Sequence, residues 1–91
     1  MSSLSPCWFV YILRCADGTL YTGVTTDTER RTKEHNLSDR LGAKYTRVRR
    51  PVSLVYREPC ENRSGACKRE AQIKALSRSA KLKLLQSACG Q

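Results

Sequence analysis

The sequence predicts an α+β fold, a three-strand sheet with helices packed on its faces in the order β-β-α-β-α-α. Three observations carry this. The aromatic and β-branched run Trp8-Phe-Val-Tyr-Ile-Leu13 is followed by Ala16-Asp17-Gly18 and a second apolar stretch. Val52, Leu54 and Tyr56 alternate with Ser53, Val55 and Arg57. Helix-start signals stand at Thr26, Asn62 and Ser77.

The first strand is apolar on both parities, so it must be covered on both faces. Ala16-Asp17-Gly18 marks a turn, and Leu20 to Thr25 is the second strand of a hairpin. A three-residue loop with Gly18 left-handed in a bulge pairs Cys15 with Thr19, Leu13 with Tyr21 and Tyr11 with Gly23. Tyr11 and Tyr21 then share one face. A two-residue Asp-Gly turn would shift the pairing by one and send them to opposite faces. The first register is the expectation, with Gly23 leaving open space above the sheet.

Thr26-Asp-Thr-Glu29 has capping-box spacing and opens a helix to about Asn36. From Asp27 to His35 this helix has no aliphatic side chain, although helices usually dock through an apolar stripe. It is therefore expected to do something other than fill the core. Arg31 and His35 are i,i+4 neighbours on one face. A solvated surface helix with ordinary pairing, such as Arg30 to Glu34, fits the same pattern.

Leu37 to Arg50 is polar and basic and reads as a long loop; Val52 to Arg57 is the third strand. Asn62-Arg-Ser64 caps a second helix through Leu76, and Ser77 a short third helix carrying Leu82, Leu84 and Leu85. In the second helix Glu70 lies on one stripe with Ala66 and Ile73, the face that should be buried. Burying an unpaired carboxylate costs several kcal/mol, so Glu70 needs a cation, a metal or a site opening. An internal salt bridge to an arginine would also satisfy it.

With 91 residues the chain is expected to be one domain, its folded part about residues 7–86. Such a domain closes a modest core, and any site should be a shallow groove. Seventeen Lys and Arg against eight Asp and Glu give a formal charge of +9 and a pI near 9.8, which points to polyanionic partners. Charge alone does not separate DNA from RNA or anionic lipid. Five cysteines without a C-x-x-C pair, and a single histidine, fit neither a disulfide framework nor a zinc module. The six-residue apolar run from Trp8 to Leu13 fits neither a signal peptide nor a membrane span, and a reduced, cytoplasmic protein is expected.

Val10-Tyr11-Ile12, Tyr21-Thr22-Gly23 about ten residues on, Arg31, His35 and a helical Glu70 together resemble the GIY-YIG nuclease superfamily. The match is close to its small single-domain YhbQ-like branch, with Gly42-Ala-Lys-Tyr-Thr46, Arg49-Arg-Pro51 and Lys68-Arg-Glu70-Ala-Gln-Ile73-Lys similar to that branch's later blocks. The resemblance runs from Trp8 to about Leu85. It implies a three-stranded antiparallel sheet flanked by helices, and a divalent-metal-dependent endonuclease of DNA. The motif tyrosines fall on Tyr11 and Tyr21, the motif glycine on Gly23, the helical arginine on Arg31, the next site position on His35 and the metal-binding glutamate on Glu70. The chain departs from the family at Val10 and Thr22, which are packing or variable positions, and at the first motif's Gly position, which is Phe or Val here; no asparagine follows Asn62, so a contact found in several branches has no counterpart.

Each requirement of phosphodiester hydrolysis then has a candidate. Glu70 would hold one Mg²⁺ or Mn²⁺ through a single carboxylate, with water and phosphate oxygen completing the shell. Arg31 would offer a planar charged fork to the scissile phosphate. Tyr21 or Tyr11 would act as general base, which requires local positive charge because a phenol's reference pKa is about 10. His35 would position phosphate or assist proton transfer. Lys44, Tyr45, Arg47, Arg49, Arg50, Lys68 and Lys74, with Gly23, would form the nucleic-acid surface, tracking phosphates without reading bases. DNA shape, as at branches or single-strand junctions, or a protein partner would then select the target. RNA binding, and a catalytically silent nucleic-acid-binding module on the same scaffold, are the competing readings.

Overall fold

The computed structural model of the chain describes residues 8–89. The elements follow in the order β1 (Trp8–Arg14), β2 (Leu20–Thr25), α1 (Thr28–Leu37), α2 (Lys44–Arg47), β3 (Ser53–Cys60), α3 (Arg63–Lys74) and α4 (Arg78–Cys89). The three strands form one antiparallel sheet in the order β2-β1-β3, with β1 central. Both faces of β1 are covered, by α3 on one side and by the cluster of Tyr11, Leu13, Cys15 and Val52 on the other, which is why it is apolar on both parities.

The hairpin has the expected register. Gly18 takes φ 85° and donates its N–H to the Cys15 carbonyl at 2.9 Å, while the Cys15 N–H meets the Thr19 carbonyl at 2.9 Å. Leu13 pairs with Tyr21 and Tyr11 with Gly23. The two faces of the sheet carry separate cores. Val10 and Ile12 pack with Ala66 and Ile73 of α3, joined by Trp8, Leu84 and Leu85. Tyr11, Leu13, Cys15 and Val52 form the other cluster, with Tyr21 and Leu54.

Several boundaries differ from the sequence reading. Asp27, rather than Thr26, caps α1 by accepting the Arg30 N–H at 3.0 Å. The segment expected to be a loop contains the single-turn helix α2. The simple alternation at 52–57 is broken where Ile12 pairs with Tyr56 and Leu13 with Leu54, passing over Val55. This bulge puts Val52 and Leu54 on the Tyr11 face and Val55 and Tyr56 on the α3 face. The Asn62 and Ser77 caps form as expected, accepting the Gly65 and Ala80 N–H groups at 2.8 and 3.2 Å. α3 ends at Lys74 instead of Leu76, while α4 continues to Cys89, beyond the expected limit of the folded part at about residue 86. Residues 1–6, which precede the expected folded part, lie outside the described residues. No helix among those residues is long and apolar enough to cross a membrane.

Candidate active site

The hairpin register places Tyr11 and Tyr21 on one face with ring centroids 6.5 Å apart. Tyr11 is 1% exposed, and its ring lies across Gly23 on the neighbouring strand. A Cβ at position 23 would stand 2.5 Å from the Tyr11 hydroxyl oxygen and 2.7 Å from Cζ. The space expected to be open above Gly23 is therefore filled by the phenol, and glycine is needed there for close approach.

α1 supplies His35, whose side chain is fully buried. Its Nδ1 accepts the Ala43 backbone N–H at 3.2 Å and lies 2.8 Å from the Thr46 hydroxyl, itself fully buried. A backbone amide can only donate, which assigns the lone pair to Nδ1 and the proton to Nε2. Nε2–H then donates to the Tyr11 oxygen at 3.0 Å. Burial pushes the His35 pKa down to about 4, with the Arg31 and Arg50 charges acting in the same direction and Glu34 opposing. The imidazole is neutral at pH 7 and serves as a fixed hydrogen-bond donor.

Arg31 lies one turn before His35. Its guanidinium donates to Glu34 Oε1 at 2.8 Å and to the Leu41 carbonyl at 2.6 Å, which fixes the fork. Burial, then the nearby Tyr21, pushes the Tyr11 phenol up to about 12; Arg31 draws it back down, and the Glu70 carboxylate raises it further. Glu70 comes from α3, which packs on the other face of the sheet. The Glu70 side chain is 24% exposed and its Oε2 lies 3.3 Å from Lys74 Nζ. The carboxylate is thus at the rim instead of buried, and its partner is a lysine one turn away instead of an arginine.

The expected nucleic-acid surface divides into two sets. Lys44, Arg47 and Lys68 are exposed, and among the described residues none of them has an ion-pair partner. Tyr45 stacks on Tyr21 with centroids 5.8 Å apart and is 38% exposed. Arg49, Arg50 and Lys74 each have partners within the chain. Arg49 lies 4.0 Å over the Tyr45 ring and 3.2 Å from an Asp17 carboxylate oxygen. Arg50 donates to the His35 carbonyl at 2.6 Å, to Asp39 at 2.8 Å and to the Ser38 carbonyl at 3.0 Å. Residues 37–50 bury few apolar side chains, so guanidinium groups supply the bonds that hold the segment.

Sequence reasoning did not give a site role to Thr46, Glu34 or the Ala43 amide. Nothing in their residue types distinguishes them from loop and surface positions; around Ala43 and Thr46 it was the basic residues, Tyr45 and the Gly42-Ala-Lys-Tyr-Thr46 block that stood out. The donor set suits a hard, largely hydrated cation. Glu70 keeps one carboxylate oxygen that no lysine occupies, and among the described residues no group of three His, Cys, Asp or Glu side chains converges as a cage.

A family model described as the GIY-YIG catalytic domain matches residues 7–83. A UPF0213 protein of Desulfotalea psychrophila is 61% identical over 82 residues, covering 90% of this chain and 74% of that protein. A UPF0213 protein of Syntrophus aciditrophicus is 57% identical, covering 85% and 87% of the two chains. A protein of E. faecalis solved by solution NMR is 44% identical and superposes with a TM-score of 0.62, covering 93% of this chain and 88% of that one. A UPF0213 protein of Bacillus halodurans, also solved by NMR, is 44% identical with a TM-score of 0.56, covering 88% and 83%.

Proposed function

The chain belongs to the GIY-YIG catalytic domain family, and from that premise we propose that it is a divalent-metal-dependent endonuclease that hydrolyses DNA phosphodiester bonds. One observation carries the reading: the buried Tyr11 oxygen faces a fixed N–H donor from neutral His35 while the Arg31 charge acts on it. These are the partners a phenolate would need.

Tyr11 is the general base in this proposal, receiving a proton on its phenol oxygen from the attacking water. At a pKa of about 12 the resting phenol holds its own proton, so the base forms only when added positive charge lets that proton leave to solvent water. His35 donates to the phenolate without exchanging a proton, and Arg31 stabilises it electrostatically. The Arg31 guanidinium also faces the phosphate, oriented by Glu34 and the Leu41 carbonyl. Tyr21, edge-on to His35 and stacked on Tyr45, orients water or phosphate. A Mg²⁺ or Mn²⁺ held by Glu70 would supply positive charge to the phosphate and the leaving oxygen when bound.

Lys44, Arg47 and Lys68 track the DNA backbone in this reading. Sequence selection is weak because these contacts meet phosphates, so DNA structure or a directing protein partner chooses the target in repair, recombination or processing. We place the protein in the cytoplasm as one such domain, on its free Cys15, Cys60 and Cys67. The Glu70–Lys74 ion pair favours the second reading, a silent nucleic-acid-binding module, since it gives the carboxylate a resident counter-ion.

A panel of plain duplex, flap, nicked and four-way DNA with and without Mn²⁺ separates the two. The nuclease cuts branched DNA only with metal, and Glu70→Gln loses at least about 100-fold of that rate while keeping its Tm. Cutting that survives Glu70→Gln rejects the metal role; salt-sensitive binding with no cutting on any substrate selects the silent module.

A further inference from the structure

A groove of about 330 Å³ opens at the Thr25 end of β2, where the N-terminus of α3 approaches α1. Trp8, Val24, Thr25, Arg30, Arg31 and Arg63 line it. Arg31 belongs to the candidate site as well, so the groove and the Tyr11 cluster share that guanidinium. Its volume is at the small end for ligand sites, enough for one nucleotide and too little for a duplex.

Its chemistry is that of a nucleotide. Three guanidinium groups line the groove, and Glu34, the one carboxylate among the lining residues, already contacts Arg31 at 2.8 Å and Arg30 at 3.5 Å. Net positive charge is left for an anion. Trp8 packs against the Val10–Ile12–Ala66–Ile73 core, which holds its ring in place before any ligand arrives. The Arg63 guanidinium lies over that ring, 5.8 Å from its centroid. A base is another flat, polarisable group and can take the place of the guanidinium on the indole, freeing Arg63 for the adjoining phosphate.

We propose that this groove holds one unpaired nucleotide beside the scissile phosphate, its base stacked on Trp8 and its phosphate held by Arg63 and Arg30. The inference rests on the nuclease reading of the Tyr11 site. It makes an unpaired nucleotide next to the cut the structural feature selected.

Trp8 is the only tryptophan in the chain, so its emission reports on this groove alone. The full-length Glu70→Gln protein is titrated with a short fluorophore-labelled DNA single strand, or with the blunt duplex made from it, and Trp8 emission and label anisotropy are read together. The single strand should quench Trp8 by roughly half, with the duplex leaving it nearly unchanged. Arg63→Ala should weaken single-strand affinity about tenfold, whereas the charge-matched surface change Lys83→Ala shifts it less than about twofold. Full single-strand binding by anisotropy without Trp8 quenching overturns the groove while leaving the nuclease reading intact, as does equal quenching by duplex. If neither DNA raises the anisotropy, the nucleic-acid reading fails and the groove with it.

Discussion

Gly23→Ala tests whether the Tyr11 phenol is held where the chemistry requires it. The added Cβ would stand 2.5 Å from the hydroxyl oxygen, 2.7 Å from Cζ and 3.0 Å from Cε1, whereas ordinary contact begins at 3.4 Å. The phenol must retreat by about 0.9 Å, the difference between the closest contact and that limit. It has little freedom to do so, being 1% exposed between Tyr21 and His35. Its 3.0 Å bond from His35 stretches beyond hydrogen-bonding range as the ring tips away. Overpacking of this kind costs about 1–3 kcal/mol and the lost bond about 1 kcal/mol more. At roughly 4–8 °C per kcal/mol for a domain of this size, the Tm should fall by at least about 8 °C. A misplacement near 1 Å at a reacting group lowers cleavage about 100-fold. Thermal unfolding by circular dichroism gives the first number and metal-dependent cleavage of a flap substrate the second. A variant that melts within about 1 °C of the parent and cuts within about twofold of it would refute the placement of the phenol over Gly23.

Thr46→Val keeps the shape of a fully buried side chain but removes the hydroxyl 2.8 Å from His35 Nδ1; stability should fall by about 1–2 kcal/mol in urea unfolding, with a shifted His35 ¹⁵N resonance. The folded His35 pKa is depressed to about 4, against about 6.5 in the unfolded chain. Between those values the unfolded chain binds a proton that the folded one excludes, so stability falls as pH drops through 6.5 towards 4. Between pH 7 and pH 5 the loss attributable to His35 is about 2 kcal/mol, read as the difference in urea unfolding from His35→Gln; parallel profiles would sink that assignment. Arg50→Ala removes donors to the His35 carbonyl, Asp39 and the Ser38 carbonyl, so it should cost about 2–3 kcal/mol and speed amide exchange across residues 37–50. A weakened DNA affinity with an unchanged Tm would instead return Arg50 to phosphate tracking.

The hairpin was legible because its geometry is local. Gly18 fixes the turn, the turn fixes the pairing, and the pairing brings the two tyrosines to one face. The bulge at Val55 carries no comparable signal: it places Val52 and Leu54 on one face and Tyr56 on the other, as the two separate cores require, and no glycine marks it. Residues 37–50 were unreadable for a related reason. Their fold depends on long-range bonds, from the Ala43 amide to His35 and from Arg50 back to α1, and these contacts leave no periodicity in sequence. Glu70 announced itself as a carboxylate on an apolar stripe. Its actual neutralisation by Lys74 uses plain i,i+4 helix spacing, which composition gives no reason to prefer among so many cations.

The absence of a buried aliphatic side chain in α1, whose one aliphatic residue Leu37 is exposed at its end, now has a physical account. Thr28 and His35 are its only buried residues, so the helix does not dock through a greasy stripe. It docks through directional bonds. Asn36 donates to the Val52 carbonyl at 2.9 Å and accepts the Val52 N–H at 2.7 Å, and Arg50 grips the His35 carbonyl at 2.6 Å. An apolar stripe contributes more free energy per residue but tolerates small slides and rotations, because dispersion contacts have little angular preference. Hydrogen bonds to buried groups contribute only about 1 kcal/mol each, yet lose that and more when a partner moves by an ångström. A helix attached in this way adds little to overall stability, while fixing where His35 and Arg31 stand relative to Tyr11. The stability of the fold is left to the two apolar clusters, and α1 supplies the positional accuracy on which the proposed chemistry depends.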